Sequence, residues 1–95
     1  MRYSLQKVDG YNGDSGPMSM AIWTDGNEVI HEDNARPRVG VVMRVGSMFS
    51  RSYAPQDWWQ TSYIEEILEE RPDYVKFRTK NSIYEWRTFL SRIHI

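Results

Sequence analysis

Strand-forming and charged residues alternate along the last third of the chain, from Tyr74 to Phe89. The alternation is interrupted at Asn81-Ser82, and an Asn in a two-residue loop tolerates the positive φ that tight hairpin turns require. The pattern therefore predicts a β-hairpin with Asn81-Ser82 as its turn. Counting outward from this turn, one face of the hairpin collects Val75, Phe77, Thr79, Tyr84, Trp86 and Thr88. The other face collects Lys76, Arg78, Lys80, Arg87 and one acid, Glu85.

The same register predicts which side chains face each other across the hairpin. The predicted pairs include Phe77 with Trp86, Arg78 with Glu85, and Lys76 with Arg87. Two cations directly opposite each other are unfavourable in a bare sheet, and a phosphate or carboxylate bound between them would relieve the repulsion. The basic face is thus a candidate anion site. The alternative is an ordinary solvated face, because exposed charges usually have no ligand.

The rest of the chain is also typical of short strands separated by turns. Asp25-Gly26 between two apolar runs predicts a second hairpin. The segment Val39 to Val45 alternates as a buried strand does, with Gly40 as a point where another backbone could approach closely. Three glycines and a proline predict a flexible loop at 9–17. Five to seven short antiparallel strands in a single domain, residues 1–95, indicate a mainly β fold, a small barrel or sandwich of SH3 or OB size.

Residues 58–70 allow two interpretations. A capping box at Ser62 and Glu65, with helical spacing of the aliphatic residues that follow, predicts a short helix over 62–70. Aromatic and β-branched residues at the start of the segment favour a strand instead, as do the two glutamates at its end, which would meet the negative pole of a helix. The strand is slightly favoured, and residues 58–89 would then form a three-stranded meander.

Composition limits the classes of function. The chain has 95 residues, with 12 Lys and Arg against 13 Asp and Glu, and no Cys. A nearly neutral charge argues against a surface that is basic all over, so any anion site must be local. The lack of Cys excludes disulfides, thiolate nucleophiles and zinc ribbons. No apolar leader or run of about 20 apolar residues is found, so we expect a cytoplasmic protein that does not contact membranes.

Trp58 and Trp59 form a second candidate site. Adjacent residues in a strand point to opposite faces, so only one of the two rings enters the core easily. We expect the other to stack on a base, contact a protein or lie in an oligomer interface, or else to be tucked beneath the glycine-rich loop. Elsewhere, His31 stands in an acidic polar segment, and no nucleophile and base have informative spacing. We therefore expect no enzymatic activity, no metal and no cofactor.

Two runs in the C-terminal half resemble a pattern found in short phage-encoded proteins. They are Trp-Gln-Thr-Ser-Tyr-Ile-Glu-Glu-Ile at 59–67 and Phe-Arg-Thr-Lys-Asn-Ser-Ile-Tyr at 77–84. This half is also similar to phage counter-defence proteins of the anti-Thoeris sponge type, which sequester cyclic nucleotide signals. The resemblance implies an oligomer in the host cytoplasm that holds a nucleotide with Arg, aromatic and Asn side chains. The nearest candidates here are Arg78, Asn81, Tyr84 and Arg87.

These observations predict a small non-enzymatic protein that binds a phosphate-bearing ligand, either a nucleotide or a short oligonucleotide. Arg78 and Arg87 would hold phosphate, and a tryptophan would stack on a base. The full predicted set of ligand-binding residues is Lys76, Arg78, Lys80, Asn81, Tyr84, Arg87, Trp58 and Trp59. The alternative is a protein–protein inhibitor or adaptor without a small ligand, which would bind a host protein through exposed aromatic and charged surface.

Overall fold

The computed structural model describes residues 2–10, 13–46 and 58–89, with the side chains of Asp14 and Trp58 outside that description. The described residues form nine strands and no helix: β1 (Arg2–Lys7), β2 (Gly13–Gly16), β3 (Met18–Asp25), β4 (Glu28–Asp33), β5 (Val42–Gly46), β6 (Trp58–Gln60), β7 (Ile64–Arg71), β8 (Tyr74–Thr79) and β9 (Ile83–Phe89). Antiparallel sheet A has the order β2-β1-β9-β8-β7, and antiparallel sheet B has the order β4-β3-β5-β6. The mainly β prediction is confirmed. The strands are more numerous than predicted, and in the described ranges the sheets do not close into a barrel.

Both sheets turn their buried side chains towards one shared core. The core consists of Tyr3, Leu5, Ile64, Val75, Phe77, Tyr84 and Trp86 from sheet A, Ala21, Met43 and Val45 from sheet B, and Ala35 and Val41 from the segments between strands. Along β8, the side chains of Val75 and Phe77 are fully buried while their neighbours in sequence are partly exposed, as a period of two requires. The predicted apolar face of the β8–β9 hairpin is therefore confirmed.

The turn between β8 and β9 lies one residue earlier than predicted. The Thr79 N–H donates to Ser82 O at 2.8 Å, so Lys80-Asn81 is the turn and not Asn81-Ser82. The prediction relied on the tolerance of Asn for positive φ. Among the described non-glycine residues, however, positive φ occurs only at Asn34, at 56°. The position of the turn therefore follows from the pairing of the two flanking strands and not from a positive φ at Asn81.

The earlier turn changes the partners across the hairpin but not its faces. Phe77 pairs with Tyr84, and Lys76 pairs with Glu85. The predicted opposition of Lys76 and Arg87 is wrong, as is that of Arg78 and Glu85. Each partner moves by two positions, and a shift of two keeps every side chain on its predicted face. In the observed register the Phe77 and Tyr84 rings stack with their centroids 5.5 Å apart, and Lys76 gains a carboxylate neighbour.

Residues 58–71 form two strands that belong to different sheets. β6 pairs with β5 in sheet B, whereas β7 pairs with β8 in sheet A. The strand interpretation of 62–70 is confirmed, but the meander consists of β7, β8 and β9 and excludes β6. The chain changes sheets at Thr61, whose N–H donates to Met43 O at 2.9 Å and whose hydroxyl accepts from the Met43 N–H at 3.1 Å. A buried threonine that bonds both backbone groups of Met43 fixes this crossing.

Sheet B contains the hairpin predicted at Asp25-Gly26, but its turn lies one residue later, at Gly26-Asn27, because Asp25 is the last residue of β3. β3 and β4 pair in register up to Asp25 and Glu28, and Gly26 occupies the turn with a φ of 64°. Val39 lies outside β5 and is 59% exposed, so the buried strand is shorter than predicted. Gly40 has a φ of 94°, and a Cβ added there would meet nothing within 4 Å. The predicted role of Gly40 in close backbone approach is therefore wrong, because the residue is needed for its positive φ.

Part of the segment predicted as a loop at 9–17 is strand β2, which pairs with β1 at the edge of sheet A. The pairing is close. A Cβ on Gly13 would collide with the carbonyl oxygen of Leu5, and a Cβ on Gly16 would lie 2.5 Å from the carbonyl oxygen of Gly46 in sheet B. Gly16 is thus a contact point between the sheets. The glycines that suggested a loop allow a strand to lie close to two neighbouring backbones, and residues 11 and 12 of the predicted loop lie outside the described ranges.

The segment between β4 and β5 links the two sheets. Its first part is anchored in the core, where the Ala35 N–H donates to Ser19 O at 3.1 Å. Arg36 then reaches sheet A and donates to Pro72 O at 2.5 Å and to Arg71 O at 2.7 Å. Its guanidinium carbon also lies 5.4 Å from the centroid of the Trp86 ring. One arginine therefore holds the β7–β8 turn against the rest of the fold.

Candidate ligand-binding site

The outer face of sheet A carries the basic side chains that the sequence singled out, arranged in cross-strand rows. One row contains Arg71, Tyr74, Arg87 and Ser4. The next contains Glu69, Lys76, Glu85 and Gln6, and the third contains Glu66, Arg78 and Ile83. Acidic residues from β7 and β9 thus alternate with the cations of the hairpin. The face is a mosaic of both signs, and the basic face predicted from the hairpin alone is neutralised over most of its length.

The second and third rows show this neutralisation directly. Lys76 lies between Glu69 on one neighbouring strand and Glu85 on the other. The Arg78 guanidinium contacts Glu65 at 3.1 Å and Glu66 at 3.2 Å. The hydrogen bonds that Arg78 donates to these two carboxylates raise the pKa of Arg78 above its ordinary value. The cation-to-cation mismatch that suggested an anion site at Lys76 therefore does not exist, and Arg78 already has two anionic partners.

The first row, which contains Arg71, Tyr74 and Arg87, is different, because two arginines flank one aromatic ring. The guanidinium carbons of Arg71 and Arg87 lie 5.2 Å and 4.8 Å from the centroid of the Tyr74 ring. Both are within the range of cation–π attraction. Their side chains are also open to solvent, at 65% for Arg71 and 49% for Arg87. Two accessible guanidiniums, one from each neighbouring strand, thus flank a single ring.

Carboxylates also touch this row, and they hold its side chains in place. The Tyr74 hydroxyl donates to Glu85 at 2.7 Å, and the same carboxylate lies 3.5 Å from the Arg87 guanidinium. Arg71 is paired with Glu69. Partial burial raises the pKa of Tyr74, and the hydrogen bond to Glu85 adds to this effect. Tyr74 is therefore a protonated hydrogen-bonding group at neutral pH and not a phenolate.

An open groove of about 360 Å³ lies beside this row. It is lined by Arg71, Asp73, Tyr74, Arg87, Thr88 and Phe89. Phe89 is 46% exposed and adds an apolar surface next to the guanidiniums. The Thr88 N–H donates to Asp73 O at 3.1 Å and ties the strand to the β7–β8 turn. The groove combines two cations, one carboxylate, two hydroxyls and two aromatic rings, which are the groups that bind phosphate, sugar and base.

A second groove, of about 320 Å³, lies at the opposite end of the hairpin. It is formed by the turns that follow β1 and β8 and is lined by Val8, Asp9, Arg78, Thr79, Lys80, Asn81, Ser82 and Ile83. Three of the predicted site residues, Arg78, Lys80 and Asn81, meet here. However, Arg78 is engaged by two glutamates and Asp9 lies in the lining, so the positive charge left for a ligand is essentially that of Lys80.

The predicted aromatic residues do not join these cations. Tyr84 is buried and stacks on Phe77, on the face of sheet A opposite to Lys76 and Arg87. Trp59 is partly buried and packs against the core, and its indole nitrogen is buried without a hydrogen-bond partner among the described residues. The side chain of Trp58 lies outside the described part of the chain. Lys76 lines neither groove and lies between Glu69 and Glu85 on the outer face of sheet A. The eight predicted site residues are thus divided between the two grooves, this acidic row, the core and strand β6 of sheet B.

Sequence reasoning missed most of the groove at Arg71 and Tyr74. Arg71 directly follows the segment that was undecided between helix and strand, so no partner could be assigned to it. Tyr74 and Phe89 are the first and last residues of the predicted hairpin, and neither is among the predicted site residues. Continuing the alternation to the ends of the hairpin would have placed both on the face that carries Arg87.

Comparison of the chain with family models, with curated proteins and with solved structures finds no match. Among the described residues, no helix is long and apolar enough to cross a membrane.

Proposed function

We propose that this protein is a non-enzymatic binding protein for a phosphate-bearing ligand, a nucleotide or a short oligonucleotide, and that the ligand binds at the Arg71–Tyr74–Arg87 row. The observation that carries the proposal is the placement of two solvent-open guanidiniums within 5.2 Å of one ring, beside an open groove. Guanidinium groups bind phosphate through pairs of charge-assisted hydrogen bonds. Arg87 keeps its predicted role, and Arg71 takes the role first assigned to Arg78.

The other residues of the groove suit the remainder of a nucleotide. The exposed ring of Phe89 offers a stacking surface for a base, and such stacking tolerates different bases. The Asp73 carboxylate can accept hydrogen bonds from sugar hydroxyls or exocyclic amines. A protonated Tyr74 stabilises the arrangement and is not poised as a nucleophile. These features support binding without turnover.

The biological role that we propose is sequestration of a signal nucleotide in the cytoplasm of an infected host. This role rests on the resemblance of the C-terminal half to phage counter-defence proteins, together with the chemistry of the groove. A sequestering protein needs an accessible site and no catalytic step, and a groove of about 360 Å³ open to solvent meets this requirement.

Calorimetric titration with AMP, inorganic phosphate and adenosine tests the proposal. We expect AMP to bind and to raise the melting temperature by mass action on the native state, and adenosine to bind more weakly because it lacks the phosphate. The variants Arg71→Gln and Arg87→Gln should each weaken AMP binding by about tenfold, the equivalent of one charge-assisted contact. A short single-stranded DNA in the same titration separates a mononucleotide site from an oligonucleotide site.

The matched control is Arg78→Gln, which removes the same charge from the same face. Arg78 is held by two glutamates and lies away from the Arg71–Tyr74–Arg87 row, so AMP binding should be nearly unchanged. Equal loss with Arg78→Gln would mean that the ligand senses only the overall charge of the face. Failure of AMP, phosphate and the oligonucleotide to bind the wild-type protein at low salt would refute the proposal.

A further inference from the structure

The four sheet edges in the described ranges differ in how well they are protected against further strand pairing. β7 carries two register irregularities and four glutamates, which are common devices against edge pairing. β2 has four residues and β6 has three, so each has few backbone groups to pair with another strand. β4 has six residues and pairs with β3 without any irregularity. It is therefore the longest regular edge in this part of the protein.

The hairpin turn determines which backbone groups of β4 face outward. Asp25 and Glu28 close the two-residue turn, so they form a hydrogen-bonded pair. Hydrogen-bonded and non-hydrogen-bonded pairs alternate along an antiparallel ladder. The N–H and C=O groups of Val29, His31 and Asp33 consequently point away from β3. Within the described ranges none of these backbone groups has a partner from another strand.

The charge of β4 indicates what kind of strand fits beside it. β4 has the sequence Glu-Val-Ile-His-Glu-Asp and contains no lysine or arginine. A second β4 strand would bring acids close to acids, so pairing between two copies of this chain is unfavourable. Glu28 and Glu32 share one face of the strand, and Glu32 also pairs with Arg38 at 2.9 Å. Val29, at 61% exposed, lies on the other face together with His31 and Asp33. A partner strand with alternating basic and apolar side chains places cations on the face of Glu28 and an apolar group on Val29, beside a strand that carries three acids.

We propose that β4 binds an extended, basic segment of a partner protein by strand addition. The open backbone groups of Val29, His31 and Asp33 supply the hydrogen bonds. Lysine or arginine side chains of the partner lie beside Glu28 and Glu32, and an apolar side chain lies on Val29. This surface is separate from the groove in sheet A, so it does not depend on the proposed nucleotide site.

A hexapeptide of alternating lysine and valine, blocked at both termini, is the probe. Titration into the full chain, followed by calorimetry and amide NMR shifts, should show binding with shifts along β4. The same peptide with N-methyl groups on alternate residues cannot form the hydrogen bonds of one edge, so it should bind about tenfold more weakly. A hexapeptide of alternating glutamate and valine should not bind.

On the protein side, His31→Pro removes an outward N–H without removing a hydrogen bond to β3, and His31→Ala is its matched control. We expect His31→Pro to weaken peptide binding by about tenfold and His31→Ala to leave it nearly unchanged. Thermal unfolding verifies that each variant is folded, and the N-methylated peptide on the wild-type protein provides the same test if His31→Pro is not. Equal affinity for the methylated and unmethylated peptides, equal affinity for the acidic peptide, or no binding at millimolar peptide would overturn the proposal.

Discussion

The Trp86 indole N–H donates a hydrogen bond of 2.9 Å to the hydroxyl of Ser19, and this bond joins the two sheets inside the core. Trp86 is 1% exposed and Ser19 is fully buried. The Ser19 hydroxyl in turn donates to Ala35 O at 2.9 Å, so the polar groups of both side chains are satisfied without water. One small polar side chain thus fixes the position of the largest core ring relative to sheet B and to the segment that follows β4.

Replacing Ser19 with Ala should therefore destabilise the fold. The change leaves the Trp86 N–H and the Ala35 carbonyl without their hydrogen bonds to the side chain, and each unsatisfied buried group costs about 1–3 kcal/mol. We expect a loss of about 2 kcal/mol in the free energy of unfolding, measured by urea denaturation. The control Ser62→Ala changes an exposed serine and should stay within about 0.5 kcal/mol of wild type. A loss no larger than that of the control would show that the hydrogen bonds of Ser19 contribute nothing to the stability of the fold.

The register of the β8–β9 hairpin predicts the effect of reversing a charge at Lys76. Lys76 lies between Glu69 and Glu85, so Lys76→Glu places three carboxylates in one cross-strand row. We expect a loss of about 1 kcal/mol in the free energy of unfolding at low salt, and a smaller loss at high salt. Lys80→Glu, at the exposed turn, is the control and should be nearly neutral. Stabilisation by Lys76→Glu would instead support the register with Lys76 opposite Arg87.

The hairpin illustrates what the sequence could and could not provide. Alternation determined the faces correctly, because a shift of two residues in pairing leaves the faces unchanged. It could not determine the partners, because two adjacent dipeptides, Lys80-Asn81 and Asn81-Ser82, were both acceptable turns. The observed turn pairs Phe77 with Tyr84 and Lys76 with Glu85, contacts that the alternation alone does not rank against the predicted ones. The position of β7 beside β8 was unknown as well, because 62–70 was undecided between helix and strand.

The candidate site was harder to predict than the fold for the same reason. Arg71 and Arg87 are 16 positions apart in sequence and become neighbours of one ring only when β7, β8 and β9 are aligned. The aromatic ring of Tyr84 is of the kind that stacks on bases, yet its place in the alternation puts the residue in the core. The neutralising glutamates come mainly from β7, so the hairpin by itself appeared more basic than the sheet is.

Arg36 offers a test of the contact between the β4–β5 segment and the β7–β8 turn. Its guanidinium donates to two backbone carbonyls and contacts Glu70 at 3.2 Å. Arg36→Lys keeps the charge but cannot match this fork of donors. We expect a loss of about 1 kcal/mol in the free energy of unfolding. The control Arg38→Lys alters an exposed arginine that pairs with Glu32 and should cost less. Equal losses of stability for the two variants would mean that the hydrogen bonds of Arg36 to two backbone carbonyls contribute no more than an exposed ion pair does.

The raised pKa of Tyr74 predicts how stability depends on pH. Partial burial and the hydrogen bond to Glu85 favour the protonated phenol in the folded protein. Above the ordinary pKa of 10.0, Tyr74 ionises in the unfolded chain while the phenol in the folded protein stays protonated. Ionisation therefore lowers the free energy of the unfolded state relative to the folded state. The stability that Tyr74 contributes is therefore fully present below that pH and is lost as the pH rises through the folded pKa.

The variant Tyr74→Phe isolates this contribution, because phenylalanine does not titrate. We expect the wild type to be more stable than Tyr74→Phe at neutral pH, by about 1 kcal/mol for the lost hydrogen bond. The difference should shrink as the pH rises past 10.0. Urea denaturation followed by circular dichroism, between about pH 7 and 11, measures it. Tyr63→Phe, at a position 52% exposed, is the matched control. A difference that is independent of pH, or one that Tyr63→Phe reproduces, would show that Tyr74 and Glu85 are not coupled in the folded protein.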